Sequence, residues 1–158
     1  MAAPTPAVRG TPAGIKLKDG YQALITIGSN TTVSFWEKTV QPPGMDGGDA
    51  IEQTTMHNVD WRTFAPRSLI TMTEAKGKAA YDPAVYTQLQ SLINVETTIT
   101  VQWADGSTVA FYGYLRMFEF SELVEGTQPE ADFTIQPTNW DHVNDVEAGP
   151  ALTSVSGT

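Results

Sequence analysis

The stretch that decides the fold is residues 96–137, ETTITVQWADGSTVAFYGYLRMFEFSELVEGTQPEADFTIQP. In its first segment Ile99, Val101 and Trp103 stand at every second position, and threonine or glutamine fills the positions between them. Successive side chains of a strand point to opposite faces, so one face is apolar and the other polar. The pattern predicts a half-buried β-strand.

The rest of this stretch predicts three further strands joined by turns. Asp105-Gly106 supplies residues that tolerate the positive φ of a two-residue hairpin turn, and the apolar alternation resumes beyond it. A third strand is predicted over residues 117–124 and a fourth over residues 131–136. Pro137 ends the fourth, because it has no N–H for a ladder hydrogen bond.

The first half of the chain predicts a second hairpin and, after it, one helix. The hairpin is expected between residues 21–27 and 33–40, around the turn residues Gly28-Ser29-Asn30. The helix is expected over residues 83–93, with Asp82 as its N-cap and Pro83 at its first position. Its apolar residues share one face at helical spacing and predict core packing, not a cofactor site; they are Val85, Leu89, Leu92 and Ile93.

These elements predict a mainly β fold, a β-sandwich or open barrel with one flanking α-helix. At 158 residues the chain fits a single domain. We expect a flexible N-terminal arm over residues 1–14, the β domain over residues 15–138 and a flexible C-terminal tail over residues 139–158. Residues 41–58 begin with prolines and glycines, which exclude a helix or a central strand and predict a loop or arm.

The charge balance argues against tight binding to nucleic acid. The formal net charge is -9, and eight acidic residues but no Lys or Arg follow Arg116. Binding to a phosphate backbone depends on clustered basic residues, which this half of the chain lacks. The acidic excess has two readings: solubility, or a surface past which DNA moves without sticking. Without a secretory signal pattern or a long apolar run, we expect a protein made in the cytoplasm.

The residues that carry enzyme chemistry are sparse. The chain has no cysteine and two histidines, and it lacks the Gly-x-Ser-x-Gly, dinucleotide-binding and Walker motifs. Asp141, His142 and Asp145 could approach a cation, but in a polar tail such residues are more often solvated. The segment from Asp46 to Glu52 lacks the ligand spacing of a calcium loop. We therefore predict no enzyme, no cofactor and no metal site.

The aromatic residues divide into a core set and an interface set. Four stand where core residues are expected: Trp103, Phe111, Phe118 and Phe133. Three others, Trp36, Trp61 and Trp140, fit no core pattern and are candidate interface residues, because large amphipathic rings are enriched in interfaces. A stacking platform for sugars is the alternative use of these three rings.

Several short segments, taken in chain order, form a recognisable series. They are Ala50-Ile-Glu-Gln-Thr-Thr-Met-His57, Asp60-Trp-Arg-Thr-Phe64 with Pro66 and Leu69, Tyr81-Asp-Pro-Ala-Val-Tyr86, Gly113-Tyr-Leu115, Leu123-Val-Glu-Gly126 and Glu130-Ala-Asp-Phe-Thr-Ile-Gln-Pro-Thr138. Together they resemble the tail tube (major tail) proteins of long, non-contractile-tailed bacteriophages. The resemblance covers about residues 15–138. It rests on the order of elements and not on a catalytic motif.

The resemblance implies a structural virion protein, assembled in the host cytoplasm, that forms stacked hexameric rings. The rings would build a hollow tail tube with an acidic lumen, through which genomic DNA passes into the host without specific binding. Its implied partners are further copies of itself and the tape measure, tail tip and tail terminator proteins, with no membrane insertion. In that family a loop after the first long hairpin reaches the neighbouring ring. The matching candidates here are Met45, Asp46, Asp49 and Glu52.

Two questions stay open at this level. The lumen could be lined by the threonine face of Thr98 and Thr100 or by the acids Glu119 and Glu122. The function could instead be that of a tube protein in a contractile tail or a secretion-type injection machine. A virion-displayed carbohydrate-binding β-sandwich is the third alternative, with the candidate interface tryptophans as its platform.

Overall fold

The computed structural model describes residues 23–28, 36–80 and 82–154. Within these residues the chain is mostly strand, with one short helix, as the sequence predicts. The strands are β1 (Leu24–Ile27), β2 (Glu37–Gln41), β3 (Met45–Asp46), β4 (Ile51–Glu52), β5 (Phe64–Ala65), β6 (Thr71–Met72), β7 (Ala75–Ala80), β8 (Thr97–Gln102), β9 (Thr108–Phe120), β10 (Glu130–Pro137), β11 (Trp140–Asp141), β12 (Val146–Glu147) and β13 (Ala151–Thr153). The helix is α1 (Pro83–Gln90).

Among the described residues, seven strands form one antiparallel sheet in the order β1-β8-β9-β10-β7-β2, with β13 paired to β9. Strand β9 is its longest member at 13 residues. Its first part pairs with β8 and β13, and its last part pairs with β10. The prediction of a separate strand over residues 117–124 was wrong, because the alternation merely shifts phase at a β-bulge. Leu115 pairs with Ile135 and Met117 with Thr134, so Arg116 is the extra residue.

The hairpin between β8 and β9 is confirmed, but its loop is longer than the predicted two-residue turn. The amide of Trp103 donates to the carbonyl of Ser107 at 2.9 Å, and the amide of Gly106 donates to the carbonyl of Trp103 at 3.0 Å. Gly106 takes the left-handed φ of 91°. The loop is therefore a three-residue turn with glycine at the left-handed position.

The second predicted hairpin, between residues 21–27 and 33–40, lies partly outside the described residues, and its described strands β1 and β2 stand at the two ends of the sheet order. In the described residues β1 pairs with β8 and β2 pairs with β7; residues 29–35 lie outside the description. The sheet curls so that these end strands approach, and the amide of Ile25 donates to the Glu37 carboxylate at 2.9 Å. Burial raises the pKa of this carboxyl, and the hydrogen bond from Ile25 partly opposes the shift. A side chain thus bridges the seam of an open barrel.

The core lies inside the curled sheet and under α1. Its largest fully buried side chains are Phe111, Phe133, Ile25, Leu89, Ile99, Leu115, Ile135 and Val101. Asp82 caps the helix as predicted, accepting from the amide of Ala84 at 3.0 Å. The helix ends at Gln90, three residues before its predicted end, and Ile93 instead forms a bridge to Leu115. The core assignment of Trp103 was wrong, since its side chain at the hairpin turn is 38% exposed.

The face of the sheet opposite the core, here called the outer face, carries a network of ion pairs at one end. A second bulge, at Lys38 in β2, matches the one at Arg116, and both bulged residues are cations. Lys38 binds Glu130 at 2.6 Å and Arg116 binds Glu74 at 3.0 Å. The bulges therefore re-aim two cations toward acids of neighbouring segments.

The C-terminal segment does not match the tail predicted over residues 139–158. Strands β11 and β12 form a small hairpin, and β13 adds Ala151–Thr153 to the edge of β9. The ordered domain therefore extends past residue 138, because β9 has a free edge there that short polar strands can pair with. Residues 1–14 and 155–158 lie outside the described part of the chain.

Candidate assembly interface

The most exposed part of the fold is a two-stranded arm, residues 41–72, which continues the ladder between β2 and β7. Met45 pairs with Met72 where β3 meets β6, and Ile51 pairs with Ala65 where β4 meets β5, farther from the sheet. Both pairings stay near the register of the β2–β7 ladder, so the arm is one long, interrupted hairpin. Of the residues 46–71, none belongs to the buried core. The structure places the predicted arm, residues 41–58, in the outgoing half and the tip of this hairpin.

The tip of the arm, residues 54–63, is organised around Asn58. Its side-chain carbonyl accepts from the amide of Thr55 at 2.8 Å, and its side-chain amide donates to the carbonyl of Trp61 at 2.9 Å. The hydroxyl of Thr54 accepts from the amide of Thr63 at 3.0 Å. Polar side chains thus fix the backbone of a loop that has no core of its own.

Three large apolar side chains project from this fixed tip into solvent. Met56 is 102% exposed, Val59 92% and Trp61 82%. Apolar residues clustered at one exposed place mark an interaction surface more often than scattered ones do. Sequence reasoning found Trp61 but missed Met56 and Val59, whose signal was apolar residues within an otherwise polar turn.

The four predicted inter-ring residues lie on the stem of the arm and not at its tip. Met45 is exposed in β3. The Asp46 carboxylate accepts from the amide of Gly48 at 2.8 Å, and the backbone carbonyl of Asp49 accepts from Arg67 Nε at 2.8 Å. Glu52 lies 3.8 Å from Arg62 in an exposed pair. Asp46 and Asp49 therefore help to shape the stem, while Met45 and Glu52 remain exposed on it.

Three of the four candidate lumen-facing residues, Thr98, Thr100 and Glu119, lie on the same face of the sheet. Thr98 and Thr100 point away from the buried Ile99 and lie on the outer face of β8. The bulge in β9 keeps Glu119 on this face as well, where it pairs across the sheet with Asp132. Glu122 lies beyond the end of β9 in the following loop.

The outer face is not uniformly acidic. Around the β7 and β10 strands it carries Lys76 and Lys78 as well as Arg116, and each lies within 4 Å of a carboxylate. Around β8 it is uncharged and rich in threonine. The C-terminal hairpin lies beside this uncharged region, because the ring of His142 contacts the ring of Tyr112, and Tyr112 pairs with Thr98.

The three candidate interface tryptophans lie in three different places. Trp36 is exposed beside β2, and its indole N–H donates to Asp82 at 3.2 Å. Trp61 is at the tip of the arm, and Trp140 lies in β11. The structure gathers no two of them into one platform.

The C-terminal hairpin is held by the buried carboxylate of Asp141. It accepts from the amides of Val143 and Asn144 at 3.0 and 3.2 Å, and from Asn144 Nδ2 at 2.7 Å. The pKa of Asp141 is lowered, chiefly by the hydrogen bond from the Asn144 side chain. The pKa of Tyr112 is raised, chiefly because its hydroxyl donates a hydrogen bond to Asp141. The oxygens that a cation would need are thus committed to protein donors.

A second apolar site lies where α1 meets the end of β9. The rings of Tyr86 and Phe120 are tilted by 50° with their centroids 5.0 Å apart, and Phe118 meets Phe120 edge to face at 5.6 Å. Beside these rings is an open cavity of about 420 Å³, here called the aromatic pocket. It is lined by Tyr86, Phe120, Leu123, Pro129 and Glu130. The sequence did not signal this site, because its walls come from three separated segments.

Within residues 23–28, 36–80 and 82–154, no helix is long and apolar enough to cross a membrane. The same residues contain no group of three or more His, Cys, Asp or Glu side chains placed to hold a metal ion.

The fold has relatives among solved structures, although no family model and no curated protein matches the sequence. A chain of the virion of the native gene transfer agent particle superposes with a TM-score of 0.61 and 10% identity, over 87% of this chain and 100% of that chain. A chain of the six-fold symmetrised anti-feeding prophage baseplate gives 0.60 and 4%, over 85% and 92%. A chain of the C6-symmetric tail of the empty gene transfer agent particle gives 0.59 and 10%, over 87% and 100%. At such identities the likeness establishes the fold, which is one that occurs in tail and baseplate particles.

Proposed function

We propose that this protein is a structural subunit of a phage-type tail and assembles as stacked six-membered rings into the tail tube. The observation that carries the proposal is the arm, a two-stranded projection with an apolar tip on a domain whose fold occurs in tail particles. An exposed apolar projection of this kind does not stabilise an isolated monomer, because residues 46–71 add no side chain to the core. It fits a contact with another copy, because heterologous contacts between identical subunits build rings and stacks.

The six-fold order of the tube is supported by the relatives. Two of the superposed chains come from particles with C6 or six-fold symmetry, and both are covered over nine-tenths or more of their length. The tube would carry DNA from the virion into the host, with assembly in the host cytoplasm and with tape measure, tail tip and tail terminator proteins as partners. The outer face around Thr98 and Thr100 is proposed to line the channel, with Glu119 on the same face.

A second candidate is a tube or baseplate subunit in a contractile tail or another injection machine. The superposition on the anti-feeding prophage baseplate chain favours it, since its TM-score equals those of the gene transfer agent chains to within 0.01. Co-purification with a sheath protein from the assembled particle would select this candidate. A long tail without a sheath would select the non-contractile one.

The test of the proposed function removes the outer arm and leaves the domain. Replacing residues 51–65 by Asn-Gly keeps the pairing of Met45 with Met72, which a cut within residues 41–48 would destroy. The full chain should form hollow tubes or six-fold rings in negative-stain electron microscopy. The shortened chain should stay folded and monomeric, because no core residue is removed. Normal tubes from the shortened chain would refute the role of the arm, and absence of rings or tubes from the full chain at every concentration would count against the tube.

A further inference from the structure

We infer that the tip of the arm of one copy docks into the aromatic pocket of a second copy, with Trp61 as the anchor. This inference rests on the proposed function, because the docking requires that copies of the chain lie next to one another. It names a receptor for the tip on the same chain, and its occupant is a second copy of this protein.

The first argument is that the anchor has no place on its own domain. Trp61 is 82% exposed, and the side-chain hydrogen bonds of Asn58 and Thr54 that order the tip are made within the tip itself. The aromatic pocket is lined by none of the arm's residues. Among the described residues, the tip and the aromatic pocket therefore do not meet within one copy, as expected for the two halves of a contact between copies.

The second argument is size and chemistry. The pocket of about 420 Å³ lies within the range of sites that bury small apolar groups, about 300–1,000 Å³. Its walls are Tyr86, Phe120, Leu123 and Pro129, which offer ring faces and edges to an indole. The volume leaves space for Val59 beside the Trp61 ring.

The third argument is charge. Arg62 follows the anchor, its side chain is 77% exposed, and its pair with Glu52 at 3.8 Å is a weak surface pair. Glu122 flanks Leu123 in the loop beside the pocket, and Glu125 follows in the same loop. Asp60 precedes the anchor, so the complementary element is the single cation Arg62, which can meet the acids beside the pocket and orient the contact.

The fourth argument is that the tip is already ordered. The Asn58 hydrogen bonds hold the loop in one conformation before it binds. Ordering a loop on association lowers affinity, so a preformed tip binds more tightly than a mobile one with the same contacts.

The test uses the absence of cysteine from the chain. Asp60→Cys places a thiol beside the anchor and Glu122→Cys places one beside the pocket, and neither change removes a proposed apolar contact. Mixing the two variants and oxidising them should give disulfide-linked dimers, while each variant alone should not. Asp60→Cys mixed with Glu147→Cys is the control and should give none.

Two apolar truncations test the energetics. Trp61→Ala and Leu123→Ser should each raise the concentration needed for assembly by about 30-fold, the scale of an anchor residue in an interface. Val143→Ser is the matched control, because Val143 and Leu123 are both 77% exposed. It should leave assembly unchanged.

The outcomes separate this inference from the proposed function. Tubes that form without the Asp60–Glu122 cross-link, or with an equal cross-link in the control pair, overturn the docking while leaving the tube in place. Cross-linked pairs without rings or tubes support the docking and count against the tube. No cross-link and no assembly at any concentration overturn both.

Discussion

The side-chain amide of Asn58 donates to the carbonyl of Trp61 at 2.9 Å, while the side-chain carbonyl of Asn58 accepts from the Thr55 amide at 2.8 Å. One side chain therefore ties together the two sides of a solvent-exposed loop. The consequence is a large indole held in position without packing against its own domain. Such an arrangement favours recognition over stability.

Asn58→Ala should weaken assembly without unfolding the domain. It removes the bonds to Thr55 and Trp61, so the tip must be ordered when it binds. The free energy of unfolding of the core should change by less than about 0.5 kcal/mol, because the tip touches no core residue. Urea unfolding and light scattering of the same samples measure the two effects. Asn58→Asp keeps the acceptor but not the donor and should fall between the two; wild-type assembly by Asn58→Ala would contradict the role of the ordered tip.

Gly77→Ala should destabilise the sheet where β2, β7 and β10 meet. A Cβ at this position would collide with the carbonyl oxygen of Thr39 and lie 2.5 Å from Phe133 Cζ. Backbone and a buried ring cannot both move away, so we expect a loss of about 1–3 kcal/mol in the free energy of unfolding. Gly47→Ala is the control, since a Cβ there meets nothing within 4 Å. Equal stability of the two variants in thermal unfolding would contradict this packing.

Glu37→Gln should stabilise the protein at neutral pH. Burial raises the pKa of Glu37, so the folded chain holds this proton more tightly than the unfolded chain does. The favourable contribution of the protonated carboxyl is complete below the pKa of glutamate in the unfolded chain and is lost as the pH rises through the raised pKa of the folded chain. Glutamine is uncharged and can still accept from the Ile25 amide.

The advantage of Glu37→Gln over the wild type, measured by urea unfolding, should therefore be present at pH 7 and shrink near pH 4. Glu147→Gln, at an exposed acid, removes the same charge and should change stability by less than about 0.5 kcal/mol at either pH. A Glu37→Gln protein less stable than the wild type at pH 7 would show that the carboxylate charge strengthens the seam.

The sequence pattern correctly predicted those features that depend on residues close together in the chain. The alternation around Ile99 and Val101, the cap at Asp82 and the glycine turn at Gly106 each involve residues close in sequence, and each appears in the structure. The sequence could not show that β1 and β2 lie at opposite ends of the sheet, because that depends on long-range pairing with β8 and β7. The bulge at Arg116 likewise looked like a break between strands.

The candidate interface was less predictable than the fold. Trp61 could be singled out because its ring fits no core pattern, and residues 41–58 could be marked as irregular. The sequence did not reveal the pairing of β3 with β6 or of β4 with β5, because each of these strands is only two residues long. The aromatic pocket was hidden for a related reason: Tyr86, Phe120 and Leu123 meet only after α1 and β9 have packed.

Added positive charge on the outer face should slow DNA passage if that face lines the channel. Thr98→Lys and Glu119→Lys place new cations on the same face, although one is in β8 and the other in β9. Added cations attract the phosphate backbone within about one Debye length, ~8–10 Å at ordinary salt. Particles carrying either variant should release DNA more slowly than the wild type, and the difference should diminish as salt rises. Gln88→Lys, at an exposed position of α1 on the core side of the sheet, is the control, and release rates unchanged in both outer-face variants would show that this face does not meet DNA.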